Sequence, residues 1–287
     1  MNRTLKLALI GFVVTLSTPA LALQCSNNGN GFSAFKKAFD KIAKQEGIGK
    51  RGREALKSTQ YSREVIRFDR IQRKAFKKDF NAFYKLRTTG LTRPSLGKLR
   101  KHAQTFAAVE KRFGVPREVV VTIWGMETAF GKYTGDWDVI TSVATLTHDC
   151  RRPDFFRPHL IAALKIVDQG WLSRSELRGA RHGEIGQTQF LAANYVAYGV
   201  DFDRDGKVDL VRSVPDLLAS TANYLVGHGW RAGEPYGPGT HNFEVIKTWN
   251  AATIYQQSIA KFAASLRAKR PTPPAVPPLP RRSPSRA

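Results

Sequence analysis

Residues 114–133, GVPREVVVTIWGMETAFGKY, decide how this chain is read. Gly114 closes the helix before it, and Pro116 sits where a first helical turn tolerates a missing N–H. On a helix starting near Pro116, Val120, Ile123, Trp124 and Glu127 recur at i, i+3, i+4 and i+7. Glu127 therefore projects from the same face as a β-branched and aromatic stripe. A carboxylate rarely serves stability there, because its charged form loses solvation. Desolvation raises its pKa, which leaves it protonated near neutral pH and able to act as a general acid. A helix-end Glu that reaches solvent, or one that meets a buried Arg, would fit the same spacing.

Outward from this segment, apolar residues keep helical spacing. Phe32, Phe35, Phe39 and Ile42 form one series, Phe76, Phe80 and Phe83 a second, and Leu99, Phe106 and Val109 a third. Helical patterns return at 154–168, 188–198, 214–227 and 251–267, joined by short Gly/Pro/Asp turns, with no convincing strand alternation. The expected class is mainly α: one helical unit over 23–269 with a small N-terminal helical lobe. Residues 181–186 (RHGEIG) read as a loop lining a site.

The chain has 287 residues, 42% of them hydrophobic, enough for a sizeable core and too apolar for a disordered protein. A single apolar run, at the start, excludes a multi-span membrane protein. Arg3 and Lys6, the apolar stretch 7–16 and the small-x-small site Ala20-Leu21-Ala22 read as an export signal cleaved after Ala22. Gln24 before Cys25 stands where lipidation would want a small residue. The mature protein is expected to be periplasmic and soluble. In an oxidising compartment two cysteines most often pair, so Cys25–Cys150 is the expected disulfide, with a Cys150 nucleophile beside His148 as the competing idea.

At the other end, 270–287 (RPTPPAVPPLPRRSPSRA) reads as an extended basic tail without periodicity. The formal net charge of +23 calls for an anionic partner. Export argues against nucleic acid and for an acidic wall polymer or membrane headgroups, with the tail as a weak surface anchor or a solubilising segment.

The segment 124–131 (WGMETAFG) resembles the catalytic stretch of the lytic murein transglycosylase B family. Further matches follow in order: 149–156 (DCRRPDFF), 183–190 (GEIGQTQF), 198–203 (YGVDFD), 222–230 (ANYLVGHGW), then Trp249-Asn250 and Tyr255. The resemblance covers roughly 30–266 and includes neither end. It implies a lysozyme-like helical fold and cleavage of peptidoglycan between N-acetylmuramic acid and N-acetylglucosamine. The product implied is a 1,6-anhydro-muramic end, with Glu127 acting first as acid and then as base. No cofactor is required, and a monomer is expected. Arg151 and Arg152 would contact sugar or peptide carboxylates, or else pair with Asp149 or Asp154. Gln189 would hydrogen-bond the glycan, Tyr224 would stack or hydrogen-bond beside Glu127, and Asn250, Tyr255 and Trp249 would line the cleft. Glu184 is a weaker rival acid.

Three departures from the family bear on subsites. Ala180 stands in place of a cleft serine, Trp249 in place of a tyrosine, and Ala192-Ala193 in place of a Pro-Ser pair. A hydrolytic muramidase using the same Glu127, or a wall-binding protein with a decayed site, are the alternatives.

Residues 201–209 (DFDRDGKVD) match the first nine positions of an EF-hand loop. Asp201, Asp203, Asp205 and Asp209 would give side-chain oxygens and Lys207 its carbonyl. Position twelve is Arg212 instead of an acid, so a weak structural calcium site and an Asp-rich turn binding its own amides both fit. The six histidines show no zinc-ligand spacing.

Overall fold

The computed structural model describes residues 23–71 and 79–269. The expected export signal, the basic tail and Phe76 lie outside the described residues. Thirteen helices and four two-residue strands are present among the described residues. Helices α1 (Phe32–Gln45), α2 (Lys50–Lys57) and α3 (Arg63–Ile71) lead into α4 (Phe80–Thr88), α5 (Thr92–Lys101), α6 (Ala103–Phe113) and α7 (Arg117–Thr128). Strand β1 (Trp137–Asp138) precedes α8 (Val139–His148) and α9 (Pro153–Asp168). Strands β2 (Arg178–Gly179), β3 (Glu184–Ile185) and β4 (Phe190–Leu191) follow, then α10 (Ala192–Tyr198), α11 (Val214–Gly227), α12 (His241–Trp249) and α13 (Thr253–Ala268).

The centre of the molecule is α7. Val119, Val120, Val121, Ile123 and Trp124 are fully buried, and α4 to α6, α11 and α13 pack around this part of the fold. A helix apolar on nearly every side belongs in a core, and its apolar faces hold α13 and α11 in place. The Phe32, Phe35 and Phe39 stripe of α1 joins the same core, so the N-terminal helices share it with the rest of the chain.

Cys25 and Cys150 are bonded, with Cα atoms 4.9 Å apart. Beside the bond the Ser26 amide donates to the His148 carbonyl at 2.8 Å. His148 is buried against Phe32, Phe35 and Tyr61, a core role that leaves no cysteine for nucleophilic chemistry. Closing a loop of this size is worth about 4–5 kcal/mol in the chain-entropy model.

Two local readings change. The Leu99–Val109 series is two helices, because His102 ends α5 and begins α6 without a glycine or proline to mark the break. The segment before 192 is extended: β1 to β4 form an antiparallel sheet in that order, with Gly179 opposite Ile185 and Ile185 opposite Phe190. Residues 181–186 hold the turn before β3 and β3 itself, and Arg181, His182 and Glu184 line a cavity.

Candidate active site

Glu127 lies in the last turn of α7, and the chain then leaves the helix abruptly. Ala129, Phe130 and Gly131 all have positive φ, at 50°, 63° and 87°. Two consecutive non-glycine residues there are strained and must be held by their surroundings. Phe130 folds back edge-on to Trp124 at 5.4 Å, over Gly125, where a Cβ would come within 2.8 Å of its ring. A Cβ on Gly131 would meet the Gln187 side chain at 2.5 Å. Gln187 is the clamp: its Oε1 accepts from Trp124 Nε1 at 2.9 Å, its Nε2 donates to the Val211 carbonyl at 2.8 Å, and its carbonyl accepts from Thr128 Oγ1 at 2.5 Å. The WGMETAFG run is thus a helix end whose glycines admit close packing and whose Thr and Trp are tied to the β3–β4 connection.

Glu127 itself is partly buried and opens on a cleft of about 310 Å³. Tyr255 Oη and Trp249 Nε1 both donate to Glu127 Oε1, at 2.7 and 2.8 Å. Burial pushes its pKa up. The hydrogen bonds from Tyr255 and Trp249 and the charge of Arg87 pull the other way without cancelling it. Arg87 also donates to the Met126 carbonyl and, at 3.3 Å, to Tyr255 Oη. The buried-Arg arrangement open at the sequence level is therefore present only in part, since Arg87 reaches Glu127 through Tyr255. The carboxyl is disposed to hold a proton and to give it to a group in the cleft.

The same cleft gathers Gln189, Tyr224, Trp249 and Asn250, together with Glu184. Gln189 has φ 56° and donates its side-chain amide to the Thr134 and Gly186 carbonyls, so it braces the β3–β4 connection as well as lining the cleft. Tyr224 stands back from Glu127: its hydroxyl donates to the Thr248 carbonyl at 2.6 Å, and its ring stacks on His228 at 4.0 Å. Tyr255 is 3% exposed and sits behind Glu127 as a support rather than as cleft wall. Asn194 and Thr248 also line the cleft. Neither has a motif signal, and each arrives from a separate helix.

Glu184 shares the cleft, and its pKa is raised by burial and by the charge of Glu127. His182 N donates to its Oε2 at 3.2 Å. A second cavity of about 300 Å³ continues from Glu184 and Gln189 past Ala180, Arg181, Phe68 and Trp137. A larger apolar cavity, about 970 Å³, lies beside the end of α13 and contains none of these residues.

Arg151 and Arg152 are not brought into the cleft. Both pair with Asp69, a partner that neither the sugar-contact nor the Asp149/Asp154 reading foresaw, while Asp149 is taken by Arg70 at 2.7 Å. At the start of α10 the Ala193 amide donates to His159 Nδ1 of α9 at 3.2 Å. Burial lowers the His159 pKa to about 4, which keeps that nitrogen able to accept.

Of the EF-hand-like positions, the structure brings together Asp201, Asp203 and Asp205, whose carboxylates offer oxygens within 4.8 Å of one another. Lys207 contributes its amide to Asp205 at 2.9 Å. Asp209 is turned away: it accepts the Val211 and Arg212 amides and is paired with the Arg212 guanidinium at 2.6 Å. Asp201 likewise accepts the Asp205 and Gly206 amides at 3.1 and 2.9 Å. Three carboxylates fit a hard cation, while Arg212, at position twelve where a full EF-hand carries an acid, neutralises Asp209, one of the carboxylates such a loop would use.

The fold and site define a helical protein with a desolvated acid facing an open, largely polar-lined cleft. Residues 31–240 match the family described as the Transglycosylase SLT domain, and the chain belongs to that family. Membrane-bound lytic murein transglycosylase B of Escherichia coli (strain K12) is 35% identical over 123 residues, 42% of this chain and 34% of that protein, so the chain matches about a third of that relative's length. SltB3 from Pseudomonas aeruginosa, solved in complex with NAG-anhNAM-pentapeptide, superposes with a TM-score of 0.77 at 29% identity, over 83% of this chain and 80% of that one. The lytic transglycosylase Slt35 from Escherichia coli, solved in complex with calcium, shares the fold with a TM-score of 0.72 at 21% identity, over 86% and 97%. No described helix is long and apolar enough to cross a membrane.

Proposed function

We propose that the chain is a peptidoglycan lytic transglycosylase that cleaves the β-1,4 bond from N-acetylmuramic acid to N-acetylglucosamine without adding water. The observation that carries this reading is Glu127, a carboxyl with a raised pKa facing the cleft of a chain whose family is shown. Glu127 protonates the glycosidic oxygen, and the C1–O bond breaks. The carboxylate left behind takes the proton from the muramic C6 hydroxyl as that oxygen bonds to C1, closing the 1,6-anhydro ring. The atoms balance with no water consumed. A tethered hydroxyl has an effective concentration that free water cannot match, so one carboxyl serves both steps where most glycosidases need two. The SltB3 complex holds an anhydro-muramic ligand of the kind this step would form.

Asn250 and Gln189 would hydrogen-bond the glycan, and Trp249 and Tyr224 would form the aromatic wall against which it lies. The reaction so written needs no cofactor. A calcium ion at Asp201, Asp203 and Asp205 would brace its loop and take no part in the chemistry. Export through residues 1–22, a periplasmic location, a monomeric state and a catalytic unit over 23–269 complete the reading, and the Cys25–Cys150 bond suits an oxidising compartment.

Glu184 favours one rival, hydrolysis with Glu184 as the base that activates water. Burial and the neighbouring Glu127 charge both disfavour its ionised form, which is the form a base requires. Digestion of purified sacculi by the mature protein and by Glu127→Gln, read by mass spectrometry, tests the proposal. The expected result is muropeptides lighter by one water at the muramic end from the wild type and none from the variant. Hydrated ends would make the protein a muramidase, and sacculus binding without products would make it a wall binder.

A further inference from the structure

We propose that Trp249 is a positioning residue: by donating to the same Glu127 oxygen as Tyr255, it confines the acid's proton to the other oxygen, the one open to the cleft. The inference rests on Glu127 being the acid of the reaction above. An indole N–H can donate and cannot accept. Tyr255 Oη accepts from Arg87 Nη2 at 3.3 Å, and a guanidinium only donates, so the Tyr255 proton is turned toward Glu127. Oε1 thus faces two hydrogens, at 2.7 and 2.8 Å between heavy atoms. A carbonyl oxygen has lone pairs for both, whereas a hydroxyl oxygen there would crowd a third hydrogen among them. Among the described residues none donates to Oε2, and it is not one of their buried unpartnered polar atoms, so it is the oxygen that reaches the cleft. The indole cannot swing away easily, because the Phe190 and Tyr224 rings meet it edge-on at 5.3 and 5.0 Å.

The consequence is directional. When Oε2 gives up its proton, the two donors on Oε1 stabilise the carboxylate, and the proton that returns must again come from the cleft side. A tyrosine at 249, which the family resemblance leads one to expect, could donate or accept and so could share the proton. Tryptophan removes that choice. The other groups around the carboxyl are Arg87 from α4, Glu184 from β3, Tyr224 from α11 and Tyr255 from α13. Lys98 of α5 and His102 at the α5–α6 junction pack on the Trp124 ring, one turn earlier on α7, and Glu110 of α6 is taken by Arg117 at the opposite end of α7.

The test needs no turnover. In the wild-type protein, the Trp249 indole N–H resonance is followed by NMR alongside the Glu127 carboxyl carbon as pH is raised. The account expects the indole proton to move downfield with the same midpoint as the carboxyl. In Trp249→Phe, the Glu127 midpoint should rise by about one pH unit, the scale of one hydrogen bond to a charged group. The alkaline limb of the sacculus-digestion rate should shift with it. An indole signal silent through the carboxyl titration would overturn the inference. So would a variant that loses rate equally at every pH with an unmoved midpoint, which is the pattern of lost packing. A coupled titration in a protein that releases no anhydro-muropeptides would leave the proton placement standing and remove the reaction instead.

Discussion

Glu127 and Asp69 are two acids removed from water on neighbouring parts of the molecule, and they are driven in opposite directions. Asp69 is 2% exposed, and burial alone would raise its pKa. Hydrogen bonds from Arg151 and Arg152 and their charges outweigh that cost and hold it below the usual carboxylate range, with Arg70 at 2.8 Å and His182 at 3.4 Å completing the shell. Burial also weighs on Glu127, but its direct partners are a phenol and an indole, both neutral, and its pKa is raised. Burial sets the cost of the charge. The charge of the direct partners decides whether the acid becomes a strut or a proton donor.

The contrast breaks first at Glu127. Glu127→Gln keeps a carbonyl that can accept from Tyr255 and Trp249 and replaces the acidic hydroxyl with an amide that cannot give up its proton. The release of muropeptides should fall by about 10³-fold or more, checked by initial rates on sacculi. At Asp69 the large effect is on stability. Asp69→Asn leaves Arg151 and Arg152 without their counter-charge and should cost about 3–5 kcal/mol, read as a lower denaturant midpoint with an unchanged slope.

The two acids also respond to pH with opposite signs. Because the folded-state pKa of Asp69 is depressed, its contribution to stability is present above its ordinary value and is lost as pH falls through the lowered one. Because that of Glu127 is raised, its ionisation works against folding as pH rises above its ordinary value. Glu127→Gln should therefore raise Tm by about 2–4 °C at neutral pH, with the gain vanishing in acid, measured by calorimetry across pH. The smallest effect concerns a third set of acids. Millimolar calcium should raise Tm by about 1–3 °C in the wild type, and Asp203→Asn should abolish the rise.

The acid was legible in the sequence because α7 carries its apolar stripe in one unbroken run ending at Glu127. Its partners were less so. Trp249 and Tyr255 could be named from the resemblance, but their shared grip on one oxygen depends on how α12 and α13 return to α7, which no local pattern encodes. Asp69 escaped notice because it looks like any Asp among basic residues on a surface helix, while Arg151 and Arg152 took the attention their motif attracted. Helix α8, with its run of buried β-branched residues, offers no polar face for a period to reveal, and two-residue strands are too short for alternation to register. The Ala180 departure has a backbone use instead of a side-chain one, since its amide pairs with the Glu184 carbonyl at 2.9 Å and holds the β2–β3 turn beside the cleft.

The central claim is that one carboxyl breaks the glycosidic bond and water does not enter. Digesting sacculi with the wild-type protein in ¹⁸O-labelled water and weighing the new muramic ends addresses it directly. The account predicts anhydro ends carrying no label. Ends that have gained one labelled water would contradict it and move the second step from the sugar's own hydroxyl to the solvent.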